Sequence, residues 1–294
     1  MPADLLAGKT AVVTGASRGI GRGIAAAFAA EGANVMISSR RGPALAQTAA
    51  EIGAENVAWF EANAGDPDAA YACVDATVSR FGSVDVLVNN AATNPYFGPM
   101  IDIDVPRAMK TVGVNVVGPL IWTQAAWRGW MRDHGGSVIN IASVGGYMVE
   151  PGIGFYNVTK AALLHITRQL AAELGPGVRV NGIAPGLVKT DMARALWEGR
   201  EDAVAAGVPL QRLGTTGDIA SAAVFLASDQ AAWITGHTIA VDGGILVDGV
   251  VARTRTATAA AGGNATAQPA GPGSALCDNA DAAGGVGSLR LRGD

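Results

Sequence analysis

Hydrophobic positions alternate between two kinds of segment from about residue 10 to residue 245. Short runs rich in β-branched residues are followed by longer, Ala-rich stretches. Several of the short runs, such as 86–88, are apolar throughout, which is typical of strands that are covered on both faces. The pattern predicts strands over Thr10–Thr14, Asn34–Ser39, Val57–Glu61, Val84–Asn89, Ser137–Ala142, Arg179–Ala184 and Thr238–Val241.

The longer stretches between these runs predict helices. They cover Gly19–Glu31, Pro43–Ile52, Asp68–Phe81, Arg107–Arg132, Tyr156–Glu173, Thr190–Glu198 and Thr216–Ala227. Repeated strand–helix–strand units predict an α/β fold, namely a doubly wound, Rossmann-type, mostly parallel seven-stranded sheet with helices on both faces. Ligands of such sheets bind beyond the carboxyl ends of the strands, so a site is expected in the loops that follow them.

The composition changes after the last predicted strand. Residues 251–294 are dominated by Ala, Gly and Thr and contain no aromatic residue. Such a segment cannot bury enough apolar area to offset the entropy lost on ordering. We therefore expect a single dinucleotide-binding catalytic domain over residues 1–250 and a flexible tail over 251–294.

Charge and composition narrow the possible partners. The net charge is −4, which offers no electrostatic reason to expect a nucleic acid. Two distant cysteines, Cys73 and Cys277, and three scattered histidines do not suggest a metal site. No secretory signal and no apolar stretch of about 20 residues is visible, so the expectation is a soluble, cytoplasmic protein without a membrane partner.

A glycine-rich turn follows the first predicted strand, in the sequence Thr-Gly-Ala-Ser-Arg-Gly-Ile-Gly at 14–21. Glycine lets the backbone turn tightly and approach a ligand closely. The helix that begins here offers free N–H groups to a pyrophosphate. An ordinary glycine-rich turn is the alternative, but the position directly after the first strand favours a phosphate loop. The candidate cofactor-binding residues are Gly15, Ser17, Arg18, Gly19, Ile20 and Gly21.

The end of the second strand bears on which nicotinamide cofactor binds. NAD sites usually place a carboxylate here to hold the ribose 2′-hydroxyl. This chain instead has Ser39, Arg40 and Arg41. A 2′-phosphate suits the donors of arginine, so NADP(H) is favoured over NAD(H), with Ser39 and Arg40 as candidate contacts. Arg41 is as readily interpreted as a solvated surface charge.

Tyr156 and Lys160 lie four residues apart in a predicted helix and therefore share one face. We expect the lysine cation to lower the pKa of the tyrosine, which would make it an acid/base for a carbonyl oxygen. This spacing alone is common on helix surfaces. Ser143 after the fifth strand and Asn115 in the long helix after the fourth strand fall where the cleft is expected, and they strengthen the prediction.

Together these motifs resemble the short-chain dehydrogenase/reductase family, over about residues 7–245. The resemblance implies that Tyr156 exchanges the proton and that Lys160 lowers its pKa and binds the nicotinamide ribose. It implies that Ser143 hydrogen-bonds the substrate oxygen and that Asn115 anchors a proton-relay water. Hydride transfer itself belongs to the cofactor, while the protein supplies position and electrostatics.

The resemblance also implies further cofactor contacts, and the chain departs from the family pattern at two of the matching positions. Asn63 stands where the family usually has an aspartate, and Ala92 replaces a glycine. An asparagine carbonyl can still accept a hydrogen bond from the adenine amine. The implied cofactor contacts beyond the phosphate loop are Asn63, Ala64, Asn90, Tyr156, Lys160, Pro185, Gly186, Val188 and Thr190.

The expected cleft is mostly apolar, lined by 93–102, 144–155 and 187–211. Few charges are expected to converge there, so a small-molecule carbonyl compound with an apolar or weakly polar body is predicted. Phe155 and Leu187 are equally interpretable as core residues. The full set of apolar candidates is Tyr96, Phe97, Met100, Tyr147, Met148, Ile153, Phe155, Leu187, Met192 and Trp197.

These residues predict an NADP(H)-dependent ketoreductase, similar to 3-oxoacyl-carrier-protein reductases and related carbonyl reductases. Two alternatives stay open: an alcohol or hydroxysteroid-type dehydrogenase acting oxidatively, and a cofactor-binding protein without turnover. A homo-oligomer, dimer or tetramer, is also expected. In this family the helices predicted over Arg107–Arg132 and Tyr156–Glu173 pair between subunits. Here they carry more apolar residues than one sheet face should need, namely Trp122, Trp127, Trp130, Leu163, Leu164 and Leu170.

Overall fold

The computed structural model describes residues 4–53 and 55–247. The predicted tail over 251–294, and Cys277 within it, lie outside the described residues. Seven strands form one sheet in the order β3-β2-β1-β4-β5-β6-β7, and each neighbouring pair is parallel. The strands are β1 (Thr10–Thr14), β2 (Asn34–Ser39), β3 (Val57–Glu61), β4 (Val86–Asn89), β5 (Gly136–Ile141), β6 (Val178–Pro185) and β7 (Thr238–Val241).

Helices connect the strands. They are α1 (Gly19–Ala30), α2 (Gly42–Ile52), α3 (Pro67–Phe81), α4 (Val105–Val112), α5 (Gly118–Ala126), α6 (Arg132–His134), α7 (Gly154–Leu174), α8 (Arg194–Trp197), α9 (Glu201–Ala206) and α10 (Thr216–Ala227). Two π-helical turns, Gly113–Val117 and Trp127–Met131, join α4, α5 and α6. This order and topology confirm the doubly wound, Rossmann-type prediction.

Successive side chains of each strand point to opposite faces of the sheet, and each face is covered by its own hydrophobic core. In β1, Val13 packs with α1, α2 and α10 on one face, while Val12 packs with α3, α5 and α7 on the other. In β5, Ile139 and Val138 divide in the same way. Because both faces are buried, the strands carry apolar residues on both sides. This is why the short runs in the sequence are apolar without interruption.

Several predicted boundaries were wrong. β4 begins at Val86 and not at Val84, although the N–H of Asp85 already donates to the carbonyl of Thr10 (2.8 Å) and its carbonyl accepts from the N–H of Ser137 (2.9 Å). The predicted helix over Thr190–Glu198 is reduced to the four residues of α8. Gly199, with φ of 75°, ends that segment, and α9 follows it where no helix was predicted.

The tryptophans expected to mark a subunit interface belong largely to the chain's own core. Trp122 is 1% exposed and packs beneath the sheet. Trp127 and Trp130 pack against the same core, and Leu163 is buried. Trp122 and Leu170 therefore belong to the core beneath the sheet, while the expected oligomer stays a prediction.

Within the described part of the chain, no helix combines the length and the apolar character needed to cross a bilayer.

Candidate active site

The turn after β1 comes closer to neighbouring backbone than a side chain would allow. Gly15 has φ of 65° and Gly19 has φ of 57°. A Cβ added to Gly15 would lie 2.8 Å from the Cα of Ala91. Glycine is thus required at Gly15 both by its left-handed backbone and by the close approach of the chain that follows β4.

Asn90 ties this turn to the end of β4. Its Nδ2 donates to the carbonyl oxygens of Thr14 (2.8 Å) and Gly15 (3.2 Å). The Thr14 hydroxyl in turn accepts from the N–H groups of Asn90 (3.0 Å) and Ala91 (3.1 Å). The side-chain amide of Asn90 therefore positions the turn. Any cofactor contact at this residue remains a prediction.

The N-terminus of α1 leaves its backbone donors available. Its N-cap residue, Arg18, makes no side-chain capping bond, and the first turn holds no acidic residue. Uncapped N–H groups with the partial positive charge of the helix suit a pyrophosphate. The Arg18 guanidinium lies 3.8 Å from the Asp191 carboxylate, and the position for a Cβ on Gly19 lies 3.5 Å from Thr190. The loop after β6 thus borders the phosphate loop.

Two arginines stand at the carboxyl end of β2. Arg40 and Arg41 are exposed, and within the described residues neither has an ion-pair partner. The Ser39 hydroxyl accepts from the N–H of Arg41 (3.3 Å). Glu61, which the sequence reading did not single out, accepts from the N–H of Gly42 (3.0 Å) at the start of α2. Glu61 thereby supplies a capping oxygen to that helix and leaves both guanidinium groups free for an anion.

Asn63 and Ala64 follow β3. The Asn63 Oδ1 accepts from the N–H of Gly65 (3.3 Å), while the side chain stays exposed. The Ala64 carbonyl accepts from the indole N–H of Trp122 (3.2 Å). This bond attaches the loop to α5, so Ala64 has a structural use beside the predicted cofactor contact.

Lys160 lies beneath the ring of Tyr156 in the first turns of α7. Its Nζ is 5.5 Å from the centroid of that ring and donates to the carbonyl oxygen of Ile141 (2.7 Å) at the end of β5. Lys160 is only 2% exposed, and burial lowers its pKa to about 8. The predicted pairing of the two side chains on one helix face is therefore present.

The pKa of Tyr156 itself is raised and not lowered, and the lowering expected from Lys160 stays a prediction. Burial, and to a lesser extent the charge of Glu150, raise the pKa of Tyr156 above its ordinary value. Both causes disfavour the phenolate, because burial removes it from water and the nearby carboxylate repels it. In the cofactor-free site Tyr156 thus holds its proton.

Ser143 begins a tight turn immediately after β5. Its Oγ accepts from the N–H of Gly145 (3.1 Å). A Cβ on Gly145 would lie 2.6 Å from the Oε2 of Glu150, and that oxygen accepts from the Nδ2 of Asn157 (3.2 Å). The serine turn, the carboxylate and the start of α7 are therefore one packed unit.

Asn115 is buried in the π-helical turn between α4 and α5. Its Oδ1 accepts from the N–H of Thr93 (2.8 Å), and its Nδ2 donates to the carbonyl of Thr93 (3.0 Å) and to the hydroxyl of Thr159 (3.1 Å). The Thr159 hydroxyl donates to the carbonyl of Tyr156 (2.6 Å). The side chain thus joins the loop after β4 to α7, and its predicted relay water remains a prediction.

The residues predicted after β6 follow the strand closely. The N–H of Gly186 donates to the carbonyl of Val241 (3.0 Å), and a Cβ there would lie 2.8 Å from the Cα of Asp242. Val188 is buried and forms an isolated bridge with Gly214. These contacts fix the path of the chain from Pro185 toward Thr190.

Within residues 4–53 and 55–247, no three His, Cys, Asp or Glu side chains come together as a potential metal site.

Comparison with known proteins shows the family of this chain. Residues 15–246 match a family model described as "Enoyl-(Acyl carrier protein) reductase". "Dehydrogenase/reductase SDR family member 4" of Homo sapiens is 38% identical over 246 residues, covering 82% of this chain and 88% of that protein. The chain belongs to the short-chain dehydrogenase/reductase family.

Other members of the family share the whole fold. "Short-chain dehydrogenase/reductase SDRA" of Arabidopsis thaliana is 37% identical over 247 residues, covering 82% of this chain and 95% of that protein. A solved structure titled as a glucose/ribitol dehydrogenase from Brucella melitensis has a TM-score of 0.79 at 34% identity, covering 83% of this chain and 99% of that one. A putative short-chain alcohol dehydrogenase from Sinorhizobium meliloti has a TM-score of 0.78 at 37% identity, covering 84% and 99%.

The predicted lining of the substrate cleft is partly open to solvent. Phe97 is 70% exposed, Tyr147 51% and Met192 57%, whereas Phe155 and Leu187 are half-buried. The sequence pattern led to an expectation of few charges here, but it did not single out Glu150, whose carboxylate lies close enough to Tyr156 to raise the pKa of the phenol. A lone glutamate between apolar loop residues has no periodic signal that could have revealed this placement.

Proposed function

We propose that this family member is an NADP(H)-dependent oxidoreductase that reduces a ketone or 3-oxoacyl-type carbonyl to a secondary alcohol. The single observation that carries the proposal is the arrangement of Tyr156 over Lys160, beside the turn that bears Ser143. The nicotinamide, when bound, supplies the hydride. The backbone donors at Gly19 and the helix that follows it would hold the pyrophosphate, while Arg40 would hold the 2′-phosphate.

The proton is delivered by Tyr156. The phenol starts protonated, as a general acid requires, but a raised pKa makes it a weaker acid, so release of the proton depends on a cation beside it. The Ser143 hydroxyl donates a hydrogen bond to the same substrate oxygen. Lys160, anchored on the carbonyl of Ile141, places a cation beneath the ring and stabilises the phenolate as the proton leaves. Thr190 would orient the nicotinamide, since it borders the phosphate loop at Gly19.

Oxidation of an alcohol is the second candidate, because two of the similar solved structures are titled as dehydrogenases. In that direction the same tyrosine would accept the proton of the alcohol. Turnover measured in both directions separates the two candidates. A binding protein without turnover would not need this buried lysine beneath a tyrosine, since an uncompensated buried cation costs free energy.

The test is a cofactor-consumption screen. The purified chain is supplied with NADPH or NADH and a panel of ketones, 3-oxoacyl thioesters and enoyl thioesters, and with NADP⁺ and the matching alcohols. NADPH oxidation with carbonyl substrates is the expected result. The description of the matching family model names an enoyl reductase. If only enoyl thioesters are turned over, the group that is reduced is a carbon–carbon double bond and not a carbonyl. Cofactor binding with no turnover on any substrate would contradict the proposal.

Three further features of the protein remain predictions. A homo-oligomer, dimer or tetramer, is expected from the family and is tested by light scattering at micromolar concentration. A cytoplasmic location is expected from the sequence. The boundary between one catalytic domain over 1–250 and a tail is tested by deleting residues 251–294 and measuring turnover.

A further inference from the structure

Glu150 is a charged group in a site whose other lining residues are mainly apolar. It is half-buried in the loop between the serine turn and α7, while its neighbour Val149 is 92% exposed. The carboxylate is therefore directed inward where the adjacent side chain is directed to solvent. Placing a carboxylate inward costs free energy unless donors compensate it.

Hydrogen bonds within the protein replace the lost hydration of that carboxylate only in part. Its Oε2 accepts one bond from the Nδ2 of Asn157 (3.2 Å). Among the described residues, no lysine, arginine or histidine forms an ion pair with it, and no donor reaches its Oε1. The buried cation of the site, Lys160, donates to the carbonyl of Ile141. An ionised carboxylate can accept about four hydrogen bonds, so most of its capacity is open.

The position of the carboxylate is set by two neighbours of the residues proposed to bind the substrate oxygen. Oε2 packs over Gly145, whose N–H donates to the Ser143 Oγ, and Asn157 directly follows Tyr156 in α7. The same charge is felt by the Tyr156 hydroxyl. These contacts place the carboxylate against the turn that bears Ser143 and against the start of α7, between which the substrate oxygen would be held.

We propose that Glu150 determines substrate specificity: its carboxylate accepts a hydrogen bond from a hydroxyl or ammonium group next to the reacting carbonyl and excludes substrates with a carboxylate there. The inference rests on the proposed function and narrows its substrate class to hydroxy- and aminoketones. A donor on the substrate would complete the hydrogen bonding of Glu150, whereas a second carboxylate would meet like charge in a partly desolvated site.

The experiment compares ethyl ketones that differ only in the second substituent, which is ethyl, hydroxymethyl, aminomethyl or carboxylate. Glu150→Gln removes the charge but keeps an oxygen that can accept from Asn157. Glu173→Gln, at the exposed far end of α7, is the matched control. For each protein, kcat/KM is measured with NADPH near neutral pH, and NADPH binding by fluorescence shows that the variants are folded.

The native chain is expected to prefer the hydroxymethyl and aminomethyl ketones over the carboxylate by about a hundredfold, the effect of one or two charge-assisted hydrogen bonds. Glu150→Gln should reduce that preference at least about tenfold, whereas Glu173→Gln should keep the preference of the native chain. If the native chain and the variant discriminate equally, Glu150 does not set specificity while the proposed reduction stands. If the native chain reduces none of these ketones and no other carbonyl, the proposed function fails and the inference fails with it.

Discussion

The ammonium group of Lys160 lies 5.5 Å from the centroid of the Tyr156 ring and is held there by the carbonyl of Ile141. Among the described residues, this backbone carbonyl is the one hydrogen-bond acceptor of the lysine. Burial consequently lowers its pKa to about 8. Keeping a cation beneath the phenol therefore lowers the free energy of unfolding, and this effect can be measured.

Lys160 should make folding depend on pH. The unfolded lysine keeps its proton up to about 10.5, whereas the folded one begins to release it near 8. Between these values the unfolded chain binds more protons, so the free energy of unfolding rises with pH. The contribution is at most about 3 kcal/mol across the window.

Urea unfolding of the cofactor-free protein and of Lys160→Met at several pH values between 8 and 10.5 tests this dependence. Methionine has a similar shape and no charge, so the difference between the two proteins isolates the lysine. Met should be the more stable variant at neutral pH, with its advantage shrinking as pH rises. Parallel curves for the two proteins would show that Lys160 is not destabilised by burial.

Glu150 should influence the pH dependence of turnover through Tyr156. The carboxylate contributes to the raised pKa of the phenol, so Glu150→Gln should lower that pKa. Reduction needs the protonated phenol and is lost as pH rises through its pKa. The alkaline limb of kcat should therefore move to lower pH in the variant.

The measurement is kcat against pH at saturating NADPH and a neutral ketone, for the native chain, Glu150→Gln and the control Glu173→Gln. Only Glu150→Gln should shift. If the alkaline limb of kcat stays in place in that variant, the charge of Glu150 does not influence the pKa of Tyr156 during turnover.

Arg40 should decide the choice between the two nicotinamide cofactors. The guanidinium is exposed and has no ion-pair partner among the described residues. Arg40→Ala should lower kcat/KM for NADPH by about tenfold to a hundredfold, the effect of losing a charge-assisted bond to phosphate. The value for NADH should not fall. Arg80→Ala, at the exposed end of α3, is the control, and equal losses with both cofactors would remove Arg40 from the 2′-phosphate site.

Gly15 should be irreplaceable for two separable reasons. Gly15 and Gly82 both have left-handed backbones, with φ of 65° and 86°, but only Gly15 has a neighbouring backbone where a Cβ would go. Gly82→Ala should therefore cost about 1 kcal/mol from strain alone. Gly15→Ala should cost about 1–3 kcal/mol more because Ala91 must shift.

Chemical denaturation of the two glycine variants measures these costs, and NADPH titration measures the effect on the cofactor. Weakened binding is expected for Gly15→Ala only. Equal destabilisation of the two variants would contradict the close approach between the turn after β1 and the chain after β4.

The fold could be predicted from sequence because its signal is local and repeated. Buried parallel strands such as β1 and β5 read as short apolar runs, and the residues after them indicate where ligands bind. The pairing of Tyr156 with Lys160 was predictable for the same reason, since a spacing of four in a helix sets a face. The phosphate loop was predictable as well, because glycine is the residue that a left-handed turn or a close backbone approach requires.

What could not be predicted depends on contacts between distant segments. The pKa of Tyr156 is raised by burial and by Glu150, neither of which follows from the spacing to Lys160. The amide of Asn90 is occupied by Thr14 and Gly15, more than seventy positions away in the chain. Trp122, expected at an interface, fills the space beneath the sheet, because hydrophobicity alone does not tell which apolar surface a side chain meets.

The central claim is that Tyr156 delivers the proton, and Tyr156→Phe tests it most directly. The change removes one hydroxyl and leaves the ring over Lys160, so NADPH binding should be retained. Single-turnover reduction of a ketone that the native chain accepts should slow by about 10²–10⁴-fold, the usual contribution of a general acid. Native rates in Tyr156→Phe, with native NADPH affinity, would contradict the account.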